Sequence, residues 1–159
     1  MTQTPEEQIV QRPTFTVRPS PGRTKLVTMP VDGEVPMGMR DEIAEHYKIP
    51  DGELTPHATT LDYLIGAAAG CLTGTFSGML LALGQDTHNG RLEARAEGVI
   101  VKERGVLRIR SIHVTYRLRR ESDIEVEKVE RAHERHHRHC PVASSIGSAI
   151  EITSELVFA

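Results

Sequence analysis

Residues 61–84 constrain this chain more than any other stretch. They carry a single charge, Asp62, in a protein whose charged content is 26%. The length reaches that of a membrane span. The composition argues against one, because Gly, Ala, Ser and Thr are as frequent as Leu. No second span follows, and no aromatic belt or basic flank frames the segment. It reads as a helix buried in a soluble fold, with no membrane partner expected. Gly66, Gly70, Gly74 and Gly78 recur at every fourth position and so share one helix face. Each costs ~1 kcal/mol of helix propensity relative to alanine. The stripe therefore implies a partner packed close to the backbone, and a helix from a second subunit is the leading candidate. Thr59 or Thr60 suits the N-cap, Asp62 suits the first turn, and Gly84 stops the helix near Leu83.

The flanking chain alternates as strands do. Residues 14–18 and 23–29 surround the turn Pro19-Ser20-Pro21-Gly22 and predict an N-terminal hairpin. Residues 30–56 are rich in Pro and Gly and read as an irregular crossover, with a short helix over 41–47 ended before Ile49-Pro50. Residues 91–101 and 106–119 form a second antiparallel hairpin about Glu103-Arg104-Gly105. Its alternation is imperfect, and the buried face stays open at this point. A helix follows over 123–139, with Ile124, Val129, Ala132, His136 and Cys140 on its inner side. Pro141 starts a short helix that Gly147 ends, and 150–158 alternate as a terminal strand. These elements predict an α+β fold. Residues 1–12 are expected to be a flexible arm and 13–159 a single domain.

With 159 residues and few aromatics, the core is light for its size, as in a subunit that buries apolar surface against a partner. A net charge of −3 gives no basic footprint for nucleic acid, and the aromatics are too scattered to stack bases. The polar start, with Glu6 and Glu7, lacks a secretory layout. A cytoplasmic location is expected, where any disulfide would be transient.

Two cysteines remain as carriers of chemistry. Cys71 lies in the apolar helix, where an isolated cysteine is usually an inert small hydrophobe. Cys140 lies between His139 and Pro141 at the start of a helix, which favours a thiolate. Read from the residues alone, Cys140 is the more reactive. His133, His136, His137, His139 and Cys140 also invite a metal reading, because several pairs stand three or four apart. No second ligand pair with zinc-finger spacing exists, and the neighbouring carboxylates are interleaved with arginines. The run reads as a solvated helix face, and no metal or other cofactor is expected.

The stretch Asp62-Tyr63-Leu64-Ile65-Gly66-Ala67-Ala68-Ala69-Gly70-Cys71-Leu72 resembles the cysteine helix of the OsmC/Ohr family, the osmotically inducible and organic hydroperoxide resistance proteins. His139-Cys140-Pro141-Val142-Ala143 resembles that family's second-cysteine motif, and the 69-residue separation is similar. The resemblance covers residues 14–158. It implies an intertwined homodimer in which antiparallel sheet, from the N-terminal hairpin, the central hairpin and the C-terminal strand, wraps a long buried helix.

It also implies a thiol-dependent peroxidase acting on small organic hydroperoxides. In that scheme Cys71 is the nucleophile, Cys140 resolves its sulfenic acid as a disulfide, and an external dithiol or lipoyl-type reductant restores both. The family holds its thiolate with an arginine, itself held by an acid. Asp62 occupies the acidic slot, and Arg23 or Arg40 is the candidate cation. Thr60 replaces the family's proline before that slot. The alternative on the same fold is a non-catalytic redox-sensing or ligand-binding dimer.

Overall fold

The structure, a computed structural model, describes residues 8–159, so the first seven residues of the expected arm lie outside the described residues. Residues 8–12 are exposed and without regular structure. The chain divides into two compact units, Met1–Thr60 and Leu61–Ala159.

The first unit holds a three-stranded antiparallel sheet of β1 (Thr16–Ser20), β2 (Thr24–Thr28) and β3 (Glu34–Met37) in that order. The hairpin β1–β2 is the one its Pro-Gly turn predicts. The third strand comes from the crossover, which the sequence reading left irregular. Its Pro36 faces Leu26, and each end of the pairing is short, so period-2 alternation is barely expressed in four residues. Helix α1 (Asp41–His46) follows, where the short helix was expected. Gly22 is fixed by close approach: a Cβ there would lie 2.3 Å from Thr55 Oγ1, and its φ is +72°. The Gly22 carbonyl accepts from the Thr55 N–H at 3.1 Å, which ties the hairpin turn to the loop before the long helix.

The second unit is built on helix α2 (Thr60–Ala82) and a sheet ordered β4 (Leu92–Glu103), β5 (Val106–Leu118), β6 (Glu151–Phe158). Helix α3 (Val126–His139) and helix α4 (Pro141–Ile146) connect β5 to β6. β4 and β5 are antiparallel as expected. β6 instead runs parallel to β5, so the sheet is mixed. The cause is topological: two helices lie between them, and such a crossover returns a strand in the same direction.

The irregular alternation of β5 has a local explanation. Val99 pairs with Ser111 and Ile100 with Ile109, so Arg110 is an extra residue in the ladder. This bulge resets the side-chain phase. Ile109 before it and Ile112, Val114, Tyr116 and Leu118 after it are all buried in one core. Strict alternation would have put Ile109 and Ile112 on opposite faces.

Against that face α2 packs Ala68, Leu72, Phe76 and Leu80, all fully buried. Their four-residue spacing makes one stripe, opened by Gly98 of β4, where a Cβ would meet the tip of Ile65. α2 is long and apolar enough by length and composition to cross a membrane, yet this stripe seats it on the sheet. Within the single chain the expected glycine stripe lies on the open side of the helix. Gly66, Gly70, Gly74 and Gly78 are exposed, and a Cβ on any of them would meet nothing within 4 Å.

Gln85, just past α2, is fully buried and satisfied on both ends. Its Nε2 donates to the carbonyls of Asp86 and Arg119, and its Oε1 accepts from the Glu121 N–H. α3 begins three residues later than expected, because Ile124 joins a turn closed on Glu121. The Arg120 guanidinium also donates to the Ile124 carbonyl.

Candidate active site

Cys71 stands midway along α2, half-buried at the margin of the core. Two hydroxyls on the same helix fold back onto carbonyls beside it. Thr75 donates to the Cys71 carbonyl at 2.9 Å and Thr73 to that of Ala69 at 2.7 Å. Cys140 is fully buried at the joint between α3 and α4. It caps α4, its Sγ accepting from the Ala143 N–H at 3.4 Å while Pro141 fills the first turn.

The two thiols are neighbours: the Cys71 thiol acts on the ionisation of Cys140, although 69 residues separate them in sequence, and Cys71 packs against the core that holds Cys140. Burial pushes the Cys140 thiol up, and the Cys71 neighbour pushes it further, against the pull of the Ala143 N–H. The helix-start effect that favoured Cys140 as the reactive thiol is present, but desolvation outweighs it. Cys140 is a protonated thiol at neutral pH.

Tyr116 and the histidines of α3 line the core beside this pair. The Tyr116 hydroxyl hydrogen-bonds His136 Nε2 at 3.1 Å. Burial drives its pKa well above the ordinary phenol value. His136 is pushed down to about 4 by burial, against a hydrogen bond to the His133 carbonyl, and is neutral. Burial also lowers His133 and His137. His136 lies inward with Val129 as expected, and Arg138 and His139 are exposed, but the reading of the run as a solvated face is corrected at His133 and His137, which are half-buried on the same inner side. They occupy the same helical stripe, and sheet and α2 cover it. Among the described residues no three of His, Cys, Asp and Glu gather as a metal centre.

The other expected site residues are placed apart from the thiols or in the other unit. Asp62 is in the first turn of α2. Nine residues of helix put it ~13 Å along the axis from Cys71 and on the opposite side, at ~1.5 Å and ~100° per residue. Arg23 lies in the first unit, in the β1–β2 turn at φ +59°. Its Nη2 holds Glu53 Oε2 at 2.9 Å. A cleft of about 720 Å³ opens there, lined among others by Arg23, Lys25, Met39 and Glu53. Arg40 precedes α1 and holds Asp41 Oδ2 at 2.7 Å. Sequence reasoning missed Glu53, Thr73, Tyr116 and Ser154. The first lies in an aperiodic loop, and the others become notable only through their neighbours.

A helix cysteine beside a second cysteine at a helix start, on an α+β scaffold, defines the class of small thiol proteins built on a long central helix. The family model described as OsmC-like protein matches residues 51–155, and the chain belongs to that family. Similar solved structures share its fold at low identity. An OsmC-like protein of unknown function from Vibrio cholerae is 12% identical, with a TM-score of 0.76 over 93% of this chain and 100% of that one. The organic hydroperoxide resistance protein OhrB of Bacillus subtilis is 16% identical, with a TM-score of 0.63 over 91% and 98%. An organic hydroperoxide resistance protein from Elizabethkingia anophelis is 14% identical, with a TM-score of 0.66 over 95% and 100%. Comparison with curated protein sequences finds no match.

Proposed function

We propose that the protein is a thiol-dependent peroxidase that reduces organic hydroperoxides in defence against peroxide stress. The observation that carries this reading is the closeness of Cys71 and Cys140 at the edge of the core. Family membership and the hydroperoxide resistance proteins among the similar folds support it.

The steps balance as follows. The Cys71 thiolate attacks the distal oxygen of ROOH, the O–O bond breaks, and the leaving alkoxide takes a proton to become ROH. Cys71 is thereby oxidised by two electrons to a sulfenic acid. Cys140 loses its proton and attacks the Cys71 sulfur, forming the disulfide and releasing water. An external dithiol, of lipoyl type in this reading, reduces the disulfide by exchange and leaves as its own disulfide. One of Arg23 and Arg40 supplies the positive charge that keeps Cys71 ionised. The working unit is a homodimer in the cytoplasm, its second copy covering the open glycine face of α2.

Stoichiometric cumene hydroperoxide should consume both thiols of the reduced protein and yield one intramolecular disulfide. Survival of both thiols under native conditions would end the proposal. Replacing the activating arginine by methionine should slow oxidation ~100-fold or more, within the range of positioned charge and proton-transfer effects. If Arg23→Met and Arg40→Met both react at the wild-type rate, the assigned cation is wrong.

A second reading, a redox-sensing or ligand-binding dimer, is favoured by one observation, the full burial of Cys140. It predicts disulfide formation without recycling by any dithiol, so sustained turnover would exclude it.

A further inference from the structure

Three polar side chains converge on one point between α3 and β6. His133 and His137 stand one helical turn apart on α3, so their side chains project from the same face. Their Nε2 atoms lie 2.9 and 2.7 Å from a single acceptor and donor, the hydroxyl of Ser154 on β6. Ser154 is part-buried on the core-facing side of the strand, between Ile152 and Leu156, which pack against the core.

A hydroxyl has one proton. It can donate to one imidazole and must accept from the other, so the two rings are forced into opposite tautomers at Nε2. That arrangement satisfies all three groups, and the same convergence of heteroatoms also suits a cation. With both rings protonated at Nδ1, a cation among them accepts the lone pairs of both Nε2 atoms and of the serine oxygen, all three groups staying neutral.

We propose that His133, His137 and Ser154 form a binding site for a zinc-type divalent cation that cross-links α3 to β6. Two imidazoles four residues apart on a helix present nitrogens to one ion, at the ~2.0–2.1 Å that Zn–N bonds require after small side-chain rotations. Ser154 supplies a neutral oxygen, and water completes a four-coordinate shell. Phe76 and Tyr116 fix the His133 ring from α2 and β5 by edge contacts at 5.6 and 5.7 Å. A cleft of about 310 Å³ beside His137, bordered by Arg138, Ser144 and Ile152, provides the entry path. With no third His, Cys, Asp or Glu at hand among the described residues, the affinity belongs to an exchangeable ion rather than to one needed for folding. The site uses neither cysteine and stands or falls independently of the peroxidase reading.

The test is calorimetric titration of the untagged, fully reduced full-length protein with Zn²⁺, beside ¹⁵N spectra of its histidine rings. One equivalent should bind, with the Nε2 resonances of His133 and His137 shifting while those of His139 stay in place. His133→Ala and His137→Ala should each weaken binding by about tenfold or more, the loss seen even when an outer partner of a metal ligand is removed. Ser154→Ala should weaken it less, and exposed His139→Ala not at all. The ring spectra need no variant, so a destabilised mutant does not blunt the test. Unshifted His133 and His137 resonances at millimolar Zn²⁺ would overturn the proposal. So would binding that is retained in both histidine variants and abolished by alkylating the cysteines.

Discussion

Helices α2 and α3 lie against one sheet and are anchored to it by opposite chemistry. α2 seats four apolar side chains in the core, Ala68, Leu72, Phe76 and Leu80, and leaves its glycine face open. α3 is highly charged outside and fills much of its inward stripe with histidine. On α2 the stabilising term is area removed from water, which tolerates sliding and repacking. On α3 it is hydrogen-bond satisfaction, which fixes angles and tautomers and costs heavily when one partner is lost. The difference extends to the cysteines. Cys71 sits half-buried on the apolar helix, whereas Cys140 is sealed at the end of the polar one. A thiol that must meet a hydroperoxide belongs on the first, and a thiol that need only meet another thiol can sit on the second.

The sharpest way to break this comparison is to remove each thiol. Cys71→Ser should abolish hydroperoxide consumption. Cys140→Ser should allow a single oxidation and then stop, leaving a sulfenic acid that a dimedone-type reagent captures by mass. If the two variants behave alike, the thiols do not have distinct roles.

Next in size is the apolar anchor of α2. Phe76→Ala removes a fully buried ring that touches Tyr116 and His136 at 4.9 and 5.2 Å between centroids. It should cost ~3–5 kcal/mol in denaturant unfolding. A loss under about 1 kcal/mol would mean that the stripe does not hold the helix.

The polar anchor of α3 should reveal itself through pH. His136 is held down to about 4 against an ordinary 6.5. It is faced by Tyr116 from β5, by Phe76 from α2, and by His133 and His137 from its own helix. Between those two values the unfolded chain binds a proton that the folded one refuses. Stability is therefore complete above about pH 6.5 and falls as the pH drops. The loss reaches roughly 3 kcal/mol by pH 4. His133 and His137, also lowered, act in the same direction. Unfolding curves in chelator should show this slope in wild type and a shallower one in His136→Gln. A pH-independent stability between 4 and 6.5 would show that the histidine stripe opens to water.

The smallest effect tests the open face. Within one chain Gly70→Ala and Gly74→Ala meet no neighbour, and each should stabilise the helix by ~1 kcal/mol. If a second copy packs on that face, the same changes should instead weaken the dimer, visible as monomer in light scattering. Stabilised protein with unchanged mass would remove the second copy from the glycine stripe.

Much of the scaffold was legible because it is local. Pro19-Ser20-Pro21-Gly22 marks a turn, the apolar run marks α2, and Pro141 with Gly147 brackets α4. Both cysteine motifs could be read as family patterns. Even the inward histidines were legible in principle, since 129, 133, 136, 137 and 140 lie on one helical stripe. Residue type misled the reading at His133 and His137, though not at His136, because histidine is common on solvated faces.

Other features were decided by partners distant in sequence. The bulge at Arg110 follows from the ladder with β4, and the direction of β6 from the crossover. Glu53 was invisible until it met Arg23, and Ser154 until two imidazoles met its hydroxyl.

The sequence by itself determined most of the helices and strands, though not β3, and which two sulfurs are the candidates for chemistry, because periodicity and local motifs need no neighbour to be read. Tertiary structure alone decided that the sulfurs are neighbours and which of them is fully buried. Burial and contact across 69 residues are properties of the packed core, and desolvation, which sets the state of Cys140, exists only once that core has closed.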